Sequence, residues 1–160
     1  MIITKKTFWV LFVVLINCIK CYSQATTLDS LAVYVESMSI DSAQFLRIQI
    51  DSTELNQSQK AKYYYLSALT FQINNQSDEA YDNFFKARRL YVDMDSLHLV
   101  ADIDLKLAQM ISSLKRTDLD YEAHLNAYLS YAQKKNDPGL LSKAYLTAGS
   151  ILMDTLPRQT

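Results

Sequence analysis

YYLSALTFQINNQSDEAYDNFFKA, residues 64–87, is the stretch that decides the fold. Large and small residues alternate in it at Tyr64, Ser67, Ala68, Phe71, Ala80, Phe84 and Ala87, the spacings that let two short antiparallel helices interlock. Ala68 and Ala80 leave room where the helices cross closest, and Tyr64, Phe71 and Phe84 fill the space around them. Asn74-Asn75-Gln76-Ser77 is the turn. The first helix is therefore expected from about Gln59 to Ile73 and the second from Asp78 to Tyr91. Asp78 and Glu79 stand at the positive end of the second helix dipole, and Lys86, Arg88 and Arg89 nearer its negative end.

A weaker version of the pattern follows, with Ala123 standing 43 residues after Ala80. Leu97 to Leu114 reads as a helix that packs through Leu107, Met110, Ile111 and Leu114. Arg116-Thr117-Asp118 is its turn, and Asp120 to about Lys135 is a second helix carrying Ala123, Ala127, Tyr128 and Tyr131. Ile111 stands where Ala68 supplied a small residue, so this pair should sit slightly further apart. Asn136-Asp137-Pro138-Gly139 is a loop, since Pro138 disfavours helix at Asp137. Tyr145, Ala148, Gly149 and Leu152 then repeat the positions of Tyr64, Ser67, Ala68 and Phe71. Before the central unit, Leu28, Leu31, Val35 and Met38 recur at helical spacing behind Thr27, a candidate N-cap. Asp41 opens another helix through Phe45, Leu46, Ile48 and Ile50, and Asp51-Ser52-Thr53-Glu54 is a turn.

The resulting division is a divergent capping pair over 24–58, repeats over 59–94 and 97–136, and the first helix of an incomplete third repeat over 140–154. The quoted residues resemble the tetratricopeptide repeat (TPR), a helix–turn–helix unit that stacks into a solenoid. That resemblance implies an all-α chain of antiparallel helix pairs stacked as a TPR-like α-solenoid, with a concave groove that holds proteins or peptides. The positions that would face the groove are Lys62, Tyr65, Leu69, Gln72 and Ile73, then Leu105, Ala108, Ser112 and Lys115, with Lys143 on the last helix. TPR domains that grip a C-terminal carboxylate would use the positions of Tyr65, Leu69, Gln109, Lys143 and Thr147, and only Lys143 has a suitable side chain.

Residues 1–23 read as a secretory signal ahead of this fold. Lys5 and Lys6 precede the apolar run Phe8–Ile16, and Cys21-Tyr22-Ser23 puts small residues at −3 and −1 of a cut before Gln24. A lipoprotein box, Leu15-Ile16-Asn17-Cys18 with Cys18 acylated, and an uncleaved anchor are the alternatives. Both cysteines lie in this segment, so a chain cut before Gln24 has no disulfide and no cysteine metal site. Without the segment the chain has 13 basic against 17 acidic residues. That balance argues against nucleic acid, whose phosphates need a basic face. Five Asp-Ser/Thr tripeptides, at Asp29, Asp41, Asp51, Asp95 and Asp154, look like O-glycosylation acceptors of exported Bacteroidetes-type proteins and are also ordinary helix-start chemistry.

Catalytic chemistry is not legible. Two glycines, Gly139 and Gly149, cannot build a phosphate-cradling loop. His98 and His124 sit in no metal-ligand spacing, and His124 is read as a surface residue. Asp93, Asp95, Asp102 and Asp104 fail as a calcium loop, because His98 stands where the sharp turn needs glycine, and are read as a polar linker. No enzyme activity, cofactor or metal is expected. The arrangement of export signal and irregular repeats is similar to the N-terminal TPR region of Bacteroidetes-type sensor and regulator proteins. It implies a periplasmic or cell-envelope location, a protein or peptide ligand, and a membrane link only through the N-terminal segment or a C-terminal part beyond Thr160. A free-standing structural adaptor, periplasmic or lipid-anchored, is the alternative.

Overall fold

The computed structural model describes the backbone of residues 5–114 and 119–155, with side chains for 14–15, 23–114 and 119–153. Among the described residues seven helices follow one another: α1 (Lys5–Glu36), α2 (Ile40–Gln49), α3 (Gln57–Ile73), α4 (Ser77–Asp93), α5 (Leu97–Ser113), α6 (Tyr121–Lys135) and α7 (Pro138–Thr155). There is no strand among the described residues, which are all-α. Each helix packs on the next, and α1 with α3 and α5 with α7 are also in contact. α1 runs unbroken through the position expected as a cleavage site, and Lys5, Lys6, Cys18 and Cys21 lie outside the described side chains. Among the described residues no helix is long and apolar enough to cross a membrane.

The helix ends follow from local chemistry. The Asn56 side chain accepts the Gln59 N–H while the Gln59 side chain accepts the Asn56 N–H, a reciprocal capping box that starts α3 two residues earlier than expected. Asp120 caps α6 by accepting the Ala123 N–H at 3.0 Å. Among the described residues four helices end in one motif. Met38, Asn75, Asp95 and Asn136 adopt left-handed φ values of 54°, 58°, 53° and 50°. The N–H of the following residue then reaches back to the carbonyl of Tyr34, Phe71, Tyr91 or Ala132. Asn and Asp tolerate that conformation, whereas a methionine there costs about 1–2 kcal/mol. Met38→Gly should therefore raise stability by up to about 1 kcal/mol, since the side chain is 73% exposed and little contact is lost. A higher urea midpoint at unchanged slope would show it, and an unchanged midpoint would refute it.

Among the described residues the core is divided into three clusters along the chain. Leu28, Leu31, Val35, Ala43, Ile50, Leu55 and Leu66 join α1, α2 and α3. Ala61, Ala68, Ala80, Phe84, Ala87, Ile103, Leu107 and Ile111 join α3, α4 and α5, with Tyr64 and Phe71 half-buried against them. Ala101, Leu105, Tyr128, Ala132 and Ala144 join α5, α6 and α7. α2 is tied to α3 by the Arg47 guanidinium, 4.3 Å from the centre of the Phe71 ring.

Several expected positions fall elsewhere. Thr27 lies inside α1, its hydroxyl donating to the Ser23 carbonyl, and is not a cap. Met38, Phe45 and Ile48 are exposed. Ala123 is exposed because the inward stripe of α6 runs through Leu125, Tyr128 and Ala132, and a residue five before Tyr128 lies about 140° away from it. Gly149 is exposed by the same rotation from buried Ala144 on α7. Ala132 and Ala144, not Ala123 and Gly149, are the small buried residues of that end. Arg116-Thr117-Asp118 and Lys115 lie outside the described residues.

Candidate binding face

α5 carries Asp102 and Asp104 two residues apart, so they leave the helix about 200° from one another. Asp102 turns toward α3 and α7, and Asp104 toward α4 and α6. Each meets partners that are remote in sequence, and together they tie α5 to four helices.

On the first side the Tyr65 hydroxyl donates to Asp102 Oδ2 at 3.1 Å, and Lys143 Nζ donates to Oδ1 at 3.2 Å. The Tyr65 ring packs edge-on against Phe84, with ring centres 6.0 Å apart. One helical turn or two further on, Gln109 Nε2 donates to Thr147 Oγ1 at 3.2 Å. Beyond α3, Lys62 Nζ donates to Asp29 Oδ1 at 2.6 Å, reaching α1. A chain of polar contacts thus crosses the odd-numbered helices α1, α3, α5 and α7.

Tyr65 and Lys143, both expected at a groove, do meet here, over an aspartate that was read only as linker. Gln72 is exposed and Lys62 and Leu69 are half-buried. Leu105, Ala108 and Ser112 are buried and line no open surface. The positions of a carboxylate clamp are already engaged within the chain: Tyr65 and Lys143 both meet Asp102, Thr147 is buried against Gln109, and Leu69 is half-buried. No ammonium or amide is left pointing at a free carboxylate among them.

Burial, then the charge and the hydrogen bond of Asp102, push the Tyr65 phenol far above its ordinary range. Tyr91 and Tyr128 are raised as well, each chiefly by burial. The folded chain therefore keeps these protons at pH values where the unfolded chain loses them, so stability falls as pH rises above about 10. Tyr65→Phe should cost about 1 kcal/mol at neutral pH through loss of one hydrogen bond. It should also flatten the alkaline fall by up to one proton, about 1.4 kcal/mol per pH unit. Urea unfolding between pH 8 and 11 reads both, and an unaltered alkaline slope would contradict the assignment.

On the other side of α5, Asp104 is buried and receives three charge-assisted contacts. Arg88 Nε and Nη2 donate to Oδ1 and Oδ2 at 2.7 and 3.0 Å, and His124 Nδ1 stands 2.6 Å from Oδ1. An ionised carboxylate only accepts, so the His124 proton sits on Nδ1. The surface reading of His124 is corrected: its side chain is 17% exposed and locks α6 to α5. Arg88, expected only to stand nearer the negative end of its own helix dipole, also bridges from α4 to α5. Among the described residues no group of three or more histidine, cysteine, aspartate or glutamate side chains is placed to hold a metal ion. A shallow cleft of about 230 Å³ lies between α6 and α7, lined by Tyr121, Glu122, Leu125, Asn126, Ala148, Ile151 and Leu152.

Comparison with known proteins finds no matching family, no matching curated protein and no matching solved structure for this chain.

Proposed function

We propose that this chain is a helical scaffold of the TPR type that holds a protein or peptide, and that it is the exported N-terminal sensing part of a larger signalling protein. The observation that carries the binding role is the polar row across α1, α3, α5 and α7, from Asp29–Lys62 through Tyr65–Asp102–Lys143 to Gln109–Thr147. In a stack of helix pairs the first helix of each pair lines the concave side, the place these odd-numbered helices would take in such a stack. The row is mixed in character, with an aromatic, two lysines, two carboxylates and neutral amide and hydroxyl groups. It suits an extended peptide read through a few charges and one ring better than a C-terminal carboxylate. Panning a random displayed-peptide library on the protein tests the role. Selected peptides should lose at least about tenfold in affinity with Tyr65→Ala or Lys143→Glu and be unaffected by Lys134→Glu on α6. Binders that ignore both row variants, or no enrichment at all, would overturn it. The coding sequence past Thr160 tests the signalling part: a membrane helix followed by a kinase or DNA-binding region supports it, and a stop codon supports the adaptor.

A further inference from the structure

From Val100 to Ser113, α5 is open along one line only. Every residue in that span is buried except Asp102, Lys106, Gln109 and Ser113. These four stand at i, i+4, i+7 and i+11, a single stripe about 16 Å long. It runs one position beyond the expected groove residues Leu105, Ala108 and Ser112, so Lys106 was not among them. Along this stripe α3 and α5 stand apart. Among the described residues α1 touches α3 and α5 touches α7, but no Cα of α3 lies within 8 Å of one on α5. The Tyr65–Asp102 hydrogen bond bridges this opening. The short turns Asn74–Gln76 and Met94–Ser96 fold α3 and α5 antiparallel to α4, so the two run in the same direction. One turn on from Tyr65 and Asp102, Leu69 therefore stands opposite Lys106, and beyond it Gln72 opposite Gln109.

The charges around this opening do not balance. Lys62 is taken by Asp29, and Lys143 by Asp102, whose other oxygen accepts from Tyr65. Lys106 is half-buried and makes no ion pair or hydrogen bond among the described residues. Were it to swing back to Asp102 and displace Lys143, that lysine would be left free instead. Either way two ammonium groups share one carboxylate, in a chain whose residues after Ser23 carry more acids than bases. The wall opposite Lys106 is the apolar Leu69, which limits the water competing for an incoming anion. Gln72 is exposed, and its amide can both donate to and accept from a peptide backbone. A single ammonium with no arginine fork beside it matches a carboxylate better than a phosphate dianion.

We propose that the opening between α3 and α5 takes an extended acidic peptide, with an aspartate or glutamate side chain on Lys106 and the peptide backbone against Gln72. This rests on the peptide-binding reading above and names the chemistry of its ligand. About five residues of extended chain span the stripe. A random displayed-peptide library panned on the full chain should return a pool at least about twofold richer in aspartate and glutamate than the unselected library. A fluorescein-labelled peptide made from that pool should bind Lys106→Gln about threefold and Lys106→Glu about tenfold more weakly. Exchanging its acids for lysine should restore binding to Lys106→Glu, since the sign of the pair is then reversed on both sides. Circular dichroism checks that both variants keep their helices; if Lys106→Glu does not, Lys106→Gln alone decides. A pool of ordinary or basic composition that still needs Tyr65 and Lys143 would overturn the acidic ligand and leave the groove standing. Acidic peptides indifferent to Lys106→Gln would overturn it too, by placing their site elsewhere. A phosphoserine in place of the peptide's acid that binds at least about tenfold tighter would overturn the carboxylate in favour of a phosphopeptide. No selected peptide at all would remove the groove and its ligand together.

Discussion

Asp104→Ala is expected to lower the stability of the fold by about 3 kcal/mol, among the largest effects of any single change to a polar residue. Asp104 is only 2% exposed, and it answers both an arginine from α4 and a histidine from α6. Removing the carboxylate leaves two donors facing a void, which is the costly way to break a buried pair. The figure stands at the low end of the range because the Arg88 side chain is 29% exposed and regains part of its hydration. In a chain of this size that loss should move the thermal midpoint down by roughly 6–12 °C. Asp104→Asn, which keeps the shape and one acceptor, should lose less. Replacing all three partners at once, as Arg88→Met, Asp104→Leu and His124→Leu, should cost far less than Asp104→Ala, because no polar group is then left stranded. A loss below about 1 kcal/mol for Asp104→Ala, or a triple variant as unstable as the single one, would show that the network does not hold α4, α5 and α6 together.

The difference between what was readable along the chain and what was not has a physical pattern. The helices themselves were readable because their signals are local. The interlocking run at Tyr64–Ala87, the acids opening α4, the Asp120 cap and the Asn-rich turns all act within a few residues. Met38 was one exception, since an apolar residue in a left-handed turn carries no local mark of its role, and Thr27, which looks like a cap but lies inside α1, was another. Which face of α6 and α7 turns inward was not readable, because Ala123 and Gly149 satisfied the repeat spacing equally well. Only the buried stripes through Tyr128 and Ala144 decide it. The polar clusters were out of reach for another reason. His124 meets a carboxylate 20 residues away, and Tyr65 one 37 residues away. Pairing at such separations leaves no periodicity in a single sequence. A weaker hint existed: Asp104 interrupts the apolar stripe of α5 between Ile103 and Leu105, and a charge there needs a partner.

Phe84→Ala and Phe85→Ala give the sharpest check of the helical register, because adjacent phenylalanines should differ several-fold in cost. Phe84 is fully buried at the centre of the α3–α4–α5 core, edge-on to Tyr65 and beside Ala68, Ala80 and Ala87. Truncation removes the buried ring and leaves a cavity walled by three helices whose alanines have no side chain to fill it. The expected loss is about 3–5 kcal/mol, enough to take a domain of ordinary stability close to unfolding. Phe85 is 50% exposed and stacks on Tyr81 at 6.2 Å along the outside of α4. Its removal should cost about 1 kcal/mol. Because Tyr65 rests on Phe84, the first variant should also loosen the Tyr65–Asp102 bond and reduce the alkaline fall in stability, whereas the second should leave it unchanged. Equal losses for the two substitutions would mean that α4 is rotated by about a quarter turn. The alanine contacts with α3, the polar row on α5 and the groove built from it would then all lose their basis.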